Sequence, residues 1–257
     1  MIERPDSPVV GALHPSANFG ERKGGAIPSI LLLHYTGVES AAKAISWLSD
    51  PVSEVSCHYV VDEAGFVTQM VAEAKRAWHA GAGAWAGDTD INSSSIGIEI
   101  QNVGHAAGYP PFPDRQIAAV IALCRDIVAR HHIRAERVLA HSDVAPSRKI
   151  DPGERFPWAT LAAAGIGHWV PPAPVRADDT GVGLGTSGPF VAEMQTMLRN
   201  YGYAVMPSGH LDTATEFVIT AFQRHFRPAR VDGRIDQSTF ATLQALSAAL
   251  PAETMIT

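Results

Sequence analysis

Short apolar runs alternate with amphipathic segments along the first two thirds of the chain. Continuous apolar stretches at residues 29–34 and 137–141 predict strands that are buried on both faces. Residues 57–61 and 66–70 are joined by a turn and predict a hairpin. Residues 95–102 alternate between apolar and polar positions, which is typical of a strand with two different faces.

Helices are predicted between these strands. Residues 113–131 carry apolar side chains at the spacing of one helical face, with a proline and an aspartate at the start. Shorter helices are predicted at residues 40–48 and 158–164, whereas residues 1–28 read as an irregular lead-in. Because strands and helices alternate, we expect an α/β domain with a mixed central sheet flanked by helices.

A Pro-rich stretch at residues 170–174 separates this domain from a region with a different pattern. A motif Gly-x-apolar-Asp-x-small-Thr occurs twice there, at residues 209–215 and 233–239, and each Asp is predicted to cap a helix. The predicted helices span residues 190–199, 213–226 and 237–250. The predicted organisation is a domain over residues 1–169, a linker over 170–182 and a small all-α three-helix domain over 183–257.

Composition narrows the classes of function. Hydrophobic residues make up 46% of the 257 residues and charged residues 18%, which fits a globular chain rather than a disordered one. A net charge of −6 argues against nucleic-acid and anionic-membrane partners. No apolar run reaches the roughly 20 residues of a membrane span. Cys57 and Cys124 are too few for a disulfide framework and fit buried thiols.

The location of the protein has two alternatives. The N-terminus shows no basic region followed by an apolar core, so the visible sequence predicts a cytoplasmic protein. If a signal peptide has been removed, the cell envelope or periplasm is expected instead. We expect a monomer in either compartment.

The candidate chemistry consists of histidines and a carboxylate near predicted strand ends. His34 ends the first apolar strand, His141 ends the strand at 137–141, and Asp151 follows ten residues later. Two histidines and one carboxylate leave a fourth position open on Zn²⁺, as a catalytic site requires. Because the chain contains 11 histidines, spacing alone does not separate such a site from structural or surface histidines.

Five motifs occur in a fixed order and carry a resemblance to a known family. They are Leu33-His34-Tyr35-Thr36, Cys57-His58-Tyr59-Val60-Val61, Ala77-Trp78-His79-Ala80-Gly81, Ser95-Ile96-Gly97-Ile98-Glu99 and Ala140-His141-Ser142-Asp143-Val144-Ala145-Pro146, the last continuing to Asp151-Pro152-Gly153. Residues 25–168 resemble the zinc-dependent N-acetylmuramoyl-L-alanine amidase family, in particular its AmiD-type branch. The C-terminal region resembles a three-helix peptidoglycan-binding domain through Phe222-Gln223 and Asp232-Gly233.

The resemblance implies roles for individual residues. It implies one Zn²⁺ per chain, with His34, His141 and Asp151 as its ligands. It also implies that Glu99 is the general acid/base and that Lys149 is the cation that stabilises the oxyanion.

Four further residues, Tyr35, Trp78, His79 and Asn102, are candidates for substrate binding. Alternatives stay open for three of them. His79 could equally be a packed group beside the metal ligands. Tyr35 could be a core residue, and Asn102 could be the residue that ends its strand.

The implied reaction is zinc-dependent hydrolysis of the amide bond between N-acetylmuramic acid and L-alanine, in peptidoglycan or soluble muropeptides. The alternative is a recognition protein that binds peptidoglycan without cutting it, because one fold supports both functions. Two cues conflict on the substrate. The absence of a visible signal peptide favours soluble anhydro-muropeptides, whereas the C-terminal domain favours the intact wall.

Overall fold

The computed structural model describes residues 2–251, so the end of the predicted 183–257 domain lies outside the described residues. The strands are β1 (Ala12–Leu13), β2 (Phe19–Glu21), β3 (Ile30–Tyr35), β4 (Tyr59–Val61), β5 (Val67–Gln69), β6 (Lys75–Ala77), β7 (Ser95–Ile100) and β8 (Val138–Ala140). The helices are α1 (Ala41–Ser49), α2 (Ile91–Ser94), α3 (Asp114–His131), α4 (His141–Val144), α5 (Trp158–Ala163), α6 (Pro189–Tyr201), α7 (Thr213–Phe226) and α8 (Gln237–Ala249). Every predicted strand and helix is present, with ends within two residues of those predicted.

The predicted mixed sheet is confirmed. Six strands form one sheet in the order β1-β5-β4-β7-β3-β8. β3 is parallel to β7 on one side and to β8 on the other, while β4 and β5 form the antiparallel hairpin. β2 and β6 form a separate two-stranded antiparallel ribbon. None of the helices in residues 2–251 has the length and hydrophobicity needed to span a bilayer.

Residues 1–28 do not form the irregular lead-in that their composition predicts. Ala12 pairs with Thr68, which places β1 at one edge of the sheet, and Phe19 pairs with Ala77 in the ribbon. Strands of two or three residues are too short to show an alternation of apolar and polar positions. Their pairing is set by partners that are distant along the chain, so the local sequence does not reveal them.

Alternation along β3 gives the sheet two different faces. Leu31 and Leu33 pack in a core cluster with α3 on one face. Ile30 and Leu32 belong to a second cluster on the opposite face. Because side chains alternate along a strand, His34 points to the same side as Ile30 and Leu32. This second face is therefore where the first predicted metal ligand emerges.

The C-terminal helices pack on this same face. We call residues 183–251, the described part of the predicted C-terminal domain, the helical module. One continuous buried cluster joins sheet-domain residues Ile30, Leu32, Trp85 and Leu139 to module residues Val191, Met194, Leu198, Phe222 and Leu243. The preceding segment is also held against the module, because the backbone N–H of Ala173 donates to Thr242 Oγ1 at 3.0 Å. The two parts of the chain share a core.

The repeated motif of the helical module caps two helices as predicted. Asp212 accepts a hydrogen bond from the backbone N–H of Thr215 at 2.8 Å at the start of α7. Asp236 accepts one from the backbone N–H of Thr239 at 2.7 Å at the start of α8. These interactions satisfy backbone donors that would otherwise be unpaired at a helix N-terminus.

A buried glutamine extends each repeat. Gln195 Oε1 accepts from the backbone N–H of Gly209 at 2.8 Å, and its Nε2 donates to the carbonyl of the following residue at 2.9 Å. Gln223 makes the same pair of contacts with Gly233 and its successor, both at 2.8 Å. Each repeat therefore consists of a buried glutamine, the tight turn to which it is hydrogen-bonded and an Asp that caps the following helix.

A buried hydrogen-bond network joins the helical module to α4. Asp143 Oδ1 accepts from the Tyr203 hydroxyl at 2.7 Å, and Asp143 Oδ2 pairs with His225 Nδ1 at 2.6 Å. Asp143 Oδ2 also accepts from the backbone N–H of Ala140 at 2.8 Å. Because His141 begins α4, the network ties the module to the helix that carries a predicted metal ligand.

A second buried network centres on Glu73. Its carboxylate accepts hydrogen bonds from the Tyr59 hydroxyl at 2.6 Å and from Arg130 Nη2 at 2.8 Å, and it contacts His131 Nε2 at 2.7 Å. Burial raises the pKa of the Glu73 carboxyl, but the hydrogen bonds from Arg130, Tyr59 and His131 outweigh burial and lower the pKa to about 2. This network fastens the C-terminal end of α3 to the loop that precedes β6.

We expect Tyr203→Phe to destabilise the protein, because it leaves Asp143 Oδ1 buried without its donor. A hydrogen bond to a charged group contributes about 1.5–3 kcal/mol. Urea unfolding followed by circular dichroism measures the loss. The matched control is Tyr201→Phe, because among the described residues the Tyr201 hydroxyl contacts the partly exposed His168 ring, at 2.8 Å, rather than a buried carboxylate. Equal stability of Tyr203→Phe and the wild type would contradict the structural role of this network.

Glu73→Gln should destabilise the protein at neutral pH but not in acid. Because the folded-state pKa of Glu73 lies below its ordinary value of 4.5, its contribution is present above about pH 4.5 and is lost as the pH falls towards 2. The shift corresponds to about 3 kcal/mol at neutral pH. Urea unfolding of wild type and variant between pH 7 and pH 3 should show the difference shrinking. A difference that is independent of pH would contradict this explanation; the exposed Glu63→Gln serves as control.

Candidate metal and catalytic site

Three predicted ligands converge beside the ends of β3 and β8. His34 Nδ1 lies 2.9 Å from His141 Nδ1, and Asp151 Oδ2 lies 3.2 Å and 3.0 Å from these two nitrogens. All three residues are buried. Ligand atoms on tetrahedral zinc, with bonds of about 2.0–2.1 Å, are separated by roughly 3.3 Å. The three atoms therefore have the spacing that a small tetrahedral cation requires.

The register of the sheet brings these ligands together. Leu33 of β3 lies beside Ala140 of β8, so the residues that follow them, His34 and His141, are neighbours. Asp151 comes from the loop after α4. Its carbonyl accepts a hydrogen bond at 3.0 Å from the backbone N–H of the residue after His141, which draws the loop back to the ligands.

Outer hydrogen bonds orient both histidines. His141 Nε2 lies 2.9 Å from the Ala80 carbonyl, which accepts its proton. His34 Nε2 lies 3.0 Å from His79 Nδ1, and His79 Nε2 lies 3.2 Å from Ser95 Oγ. A proton on each outer nitrogen leaves Nδ1 of both ligands free to bind a metal.

The electrostatics of the cluster favour the protonation states in which His34 and Asp151 can bind a metal. Burial and the neighbouring His141 lower the pKa of His34 to about 4, so that its ring is neutral. Burial raises the pKa of Asp151, but the two histidine rings lower it well below its usual range, so that its carboxyl is ionised. Neutral imidazole and ionised carboxylate are the forms that coordinate a metal.

His79 lies against a glycine of β7. A Cβ atom at Gly97 would come within 2.4 Å of the His79 ring, so only glycine leaves room for the ring at this position. Burial and the neighbouring His34 lower the pKa of His79 well below its ordinary value. Because both ring nitrogens contact His34 and Ser95, this placement favours the alternative in which His79 packs beside the ligands and orients His34.

Glu99 lies next to the ligands on the same face of the sheet. It is the register partner of His34 in the parallel pair of β7 and β3. Its Oε2 is shielded from solvent and has no hydrogen-bond partner within residues 2–251. Burial and the charge of Asp151 raise the pKa of Glu99 well above its ordinary value, while Lys149 acts in the opposite direction. A carboxyl whose pKa is raised in this way is suited to taking up a proton from a reacting group.

A cleft of about 410 Å³ opens above the cluster. The sequence-predicted residues that line it are Tyr35, Trp78, His79, Glu99, His141, Lys149 and Asp151. The half-buried Tyr35 places its hydroxyl 3.1 Å from His105 Nδ1. Aromatic side chains and one lysine thus surround the opening above the metal-binding atoms.

The structure does not bring Asn102 into this cleft. Its Nδ2 donates to the Pro110 carbonyl at 2.9 Å, and its Oδ1 accepts from the backbone N–H of Gly104 at 2.9 Å. Its side chain is therefore used to shape the loop that follows β7. This placement matches the alternative in which Asn102 ends its strand.

Several residues that support the site were not singled out by the sequence. The Ala80 carbonyl accepts from the outer nitrogen of His141, and Ser95 contacts Nε2 of His79. His105 contacts Tyr35, and its Nε2 lies 3.1 Å from Glu154 Oε2. The sequence feature that could have pointed to Ala80, Ser95 and Glu154 is their position, because they lie within or directly after the five motifs.

Two family models match the chain. Residues 24–154 match the family described as N-acetylmuramoyl-L-alanine amidase, and residues 187–243 match the family described as "Putative peptidoglycan binding domain". N-acetylmuramoyl-L-alanine amidase AmiD of Escherichia coli (strain K12) is 40% identical over 230 residues, which cover 84% of this chain and 81% of AmiD. The 1,6-anhydro-N-acetylmuramyl-L-alanine amidase AmpD of Enterobacter cloacae is 35% identical over 173 residues, which cover 60% of this chain and 90% of AmpD.

Solved structures agree with these matches. The complex of E. coli AmiD with the substrate anhydro-N-acetylmuramic acid-L-Ala-D-gamma-Glu-L-Lys superposes with a TM-score of 0.70 at 36% identity, covering 89% of this chain and 96% of AmiD. AmpDh3 from Pseudomonas aeruginosa superposes with a TM-score of 0.71 at 29% identity, covering 98% of this chain and all of AmpDh3 (100%).

These relations confirm the resemblance carried by the five motifs and, in the C-terminal region, by Phe222-Gln223 and Asp232-Gly233. They extend over most of this chain and of its relatives, and they include both the catalytic region and the helical module. The chain belongs to the N-acetylmuramoyl-L-alanine amidase family and is an enzyme of that family, with a C-terminal region of the peptidoglycan-binding family.

Proposed function

We propose that His34, His141 and Asp151 hold one Zn²⁺ and that the enzyme hydrolyses the amide bond between N-acetylmuramic acid and L-alanine. The observation that carries the proposal is the convergence of three ligand atoms beside a carboxyl group, Glu99, whose Oε2 has no partner among the described residues. The substrate in the AmiD complex contains N-acetylmuramic acid followed by L-Ala, which supports the same bond as the target here.

Each catalytic group has a defined task in this proposal. A zinc ion in such a donor set supplies a Lewis acid and lowers the pKa of a bound water. Glu99 accepts the proton of the attacking water and delivers it to the departing alanine amine. The raised pKa of Glu99 suits both steps, because the carboxyl must take up a proton and then release it.

Lys149 stabilises the charge that develops on the amide oxygen. It lines the cleft two residues before Asp151, and its ammonium group is close enough to influence the pKa of both Glu99 and His34. A cation fixed in a partly buried site stabilises an oxyanion more strongly than one in water. Tyr35 and Trp78 form the walls against which the substrate lies.

The substrates are peptidoglycan or soluble muropeptides. The helical module favours polymeric peptidoglycan as the substrate, because residues 187–243 match the peptidoglycan-binding family. The likeness to AmpD, whose name specifies a 1,6-anhydro sugar, supports soluble fragments. Binding without cleavage is the less favoured function, because a pure recognition protein has no need for a buried, unpartnered carboxyl beside a complete ligand set.

We expect the purified enzyme to contain about one zinc per chain, the number that one three-ligand site holds. A chelator should stop the release of stem peptide beginning with alanine, as measured by mass spectrometry on peptidoglycan and on a soluble muropeptide. His34→Ala should lose the metal, whereas His210→Ala, an exposed histidine, should keep it. Zinc binding without release from either substrate would favour the recognition function.

Glu99→Gln should retain zinc but lower kcat by at least about 10²-fold, the usual contribution of an acid/base residue. Gln has nearly the same shape but does not accept a proton from the attacking water. Metal analysis and turnover are measured on the same preparation. Glu63→Gln, an exposed carboxyl in the hairpin turn, is the control and should be fully active. Near-normal turnover of zinc-loaded Glu99→Gln would exclude Glu99 as the base.

A further inference from the structure

A second cavity lies between the loop that contains Lys149 and the helical module. It has a volume of about 260 Å³. One wall is the segment 146–150, and the other is α7, which contributes Glu216, Phe217, Thr220 and Arg224. Arg148, Lys149 and Ile150 line both this cavity and the catalytic cleft. We call the second cavity the module groove. It adjoins the catalytic cleft through these three shared residues.

The composition of the module groove fits a charged peptide. Arg148, Lys149 and Arg224 supply cations, and Glu216 and Asp232 supply carboxylates. Exposed Ile150 and Phe217, at 36% and 38% of their full accessible surface, add apolar contacts from opposite walls. A neutral sugar chain would leave these charges unmatched, whereas a peptide with both carboxylates and an amine would pair with them.

Arg224 of α7 places a guanidinium group at one wall of the module groove. Its side chain is largely shielded from solvent, and its Nε has no hydrogen-bond partner within the described residues. The nearest carboxylate, Glu154 Oε2, lies 3.7 Å away and is already engaged with His105. A guanidinium group that lines a groove, and whose ion pair with Glu154 is this long, is suited to a carboxylate ligand.

We propose that the module groove binds the stem peptide of the substrate beyond its first residue, with Arg224 of α7 contacting a stem-peptide carboxylate. Glu216 and Asp232 would then face the side-chain amine of a diamino acid. The helical module thereby contributes directly to substrate selection by the catalytic site. This inference rests on the proposed function, because it takes the scissile bond to lie in the cleft.

A stem peptide extends past the scissile bond and carries charged groups there. Three residues of extended peptide span about 10 Å. The muropeptide in the AmiD complex continues past L-Ala with D-gamma-Glu and L-Lys. A gamma linkage leaves the α-carboxylate of the glutamate free, and the lysine provides an amine. Such a stem peptide carries both charge types that the groove offers.

The test compares N-acetylmuramoyl-L-Ala with N-acetylmuramoyl-L-Ala-D-gamma-Glu-L-Lys as substrates of the zinc-loaded, full-length enzyme. We expect Arg224→Gln to lower the ratio of kcat/KM for the longer over the shorter substrate by about tenfold or more. The change should lie in KM of the longer substrate, with its kcat within about twofold. Arg224→Lys should restore part of the ratio, and amidation of the peptide carboxylates should lower the ratio for wild type.

Arg199→Gln is the matched control, because Arg199 is exposed on α6 and lines a different cavity. An unchanged ratio in Arg224→Gln would overturn the proposal. Equal losses on both substrates would also overturn it, because they indicate that the variant disturbs the docking of the module.

A binding measurement separates this proposal from the proposed function. Calorimetry on zinc-loaded Glu99→Gln, with and without Arg224→Gln, measures affinity for the longer substrate without turnover. If wild type cuts neither substrate, the proposed function fails. A Kd for the longer substrate that Arg224→Gln weakens about tenfold would still support peptide binding in the module groove. An unchanged Kd would refute peptide binding there.

Discussion

The in-register parallel pairing of β3 with β7 and β8 is the constraint on which the site depends. Side chains alternate along each strand, so one register places His34, Glu99 and His141 on the same face. A slip of one residue would turn a strand's side chains to the opposite face. The long apolar stretch before His34 makes such a slip costly, because buried leucines would have to exchange between two packed cores.

Polar groups around the cluster fall into two classes. The outer nitrogens of the proposed ligands His141 and His34 contact the Ala80 carbonyl and His79, and His79 in turn contacts Ser95, which orients the rings. Glu99 is different, because one carboxylate oxygen is left without a partner in a site shielded from solvent. An unsatisfied buried group costs stability and is retained where the chemistry needs it. The contrast separates groups that hold the site from Glu99, the group that we propose acts in it.

The helical module is part of the catalytic unit rather than a separate attachment. It covers the face of the sheet from which the ligands emerge, and it shares a hydrophobic core with that face. Asp143 connects the module to the short helix that begins with His141. A close-packed core has low compressibility and therefore transmits strain. A displacement of the module would for this reason also shift the three side chains of the metal cluster. It also brings α7 to the edge of the catalytic cleft.

Local sequence determined the longer elements, the repeated helix caps of the module and the residues of the metal cluster. Periodicity and capping are short-range properties, and the family resemblance that the five motifs carry implies the roles of His34, Glu99, His141, Lys149 and Asp151. Only the tertiary structure decided the pairing of β1 and β2, the use of Asn102 in a loop and the contact of His79 with His34. The same holds for the groove beside Arg224. The physical reason is that these features depend on groups far apart in the chain, whose approach is set by the packing of the sheet against the helical module.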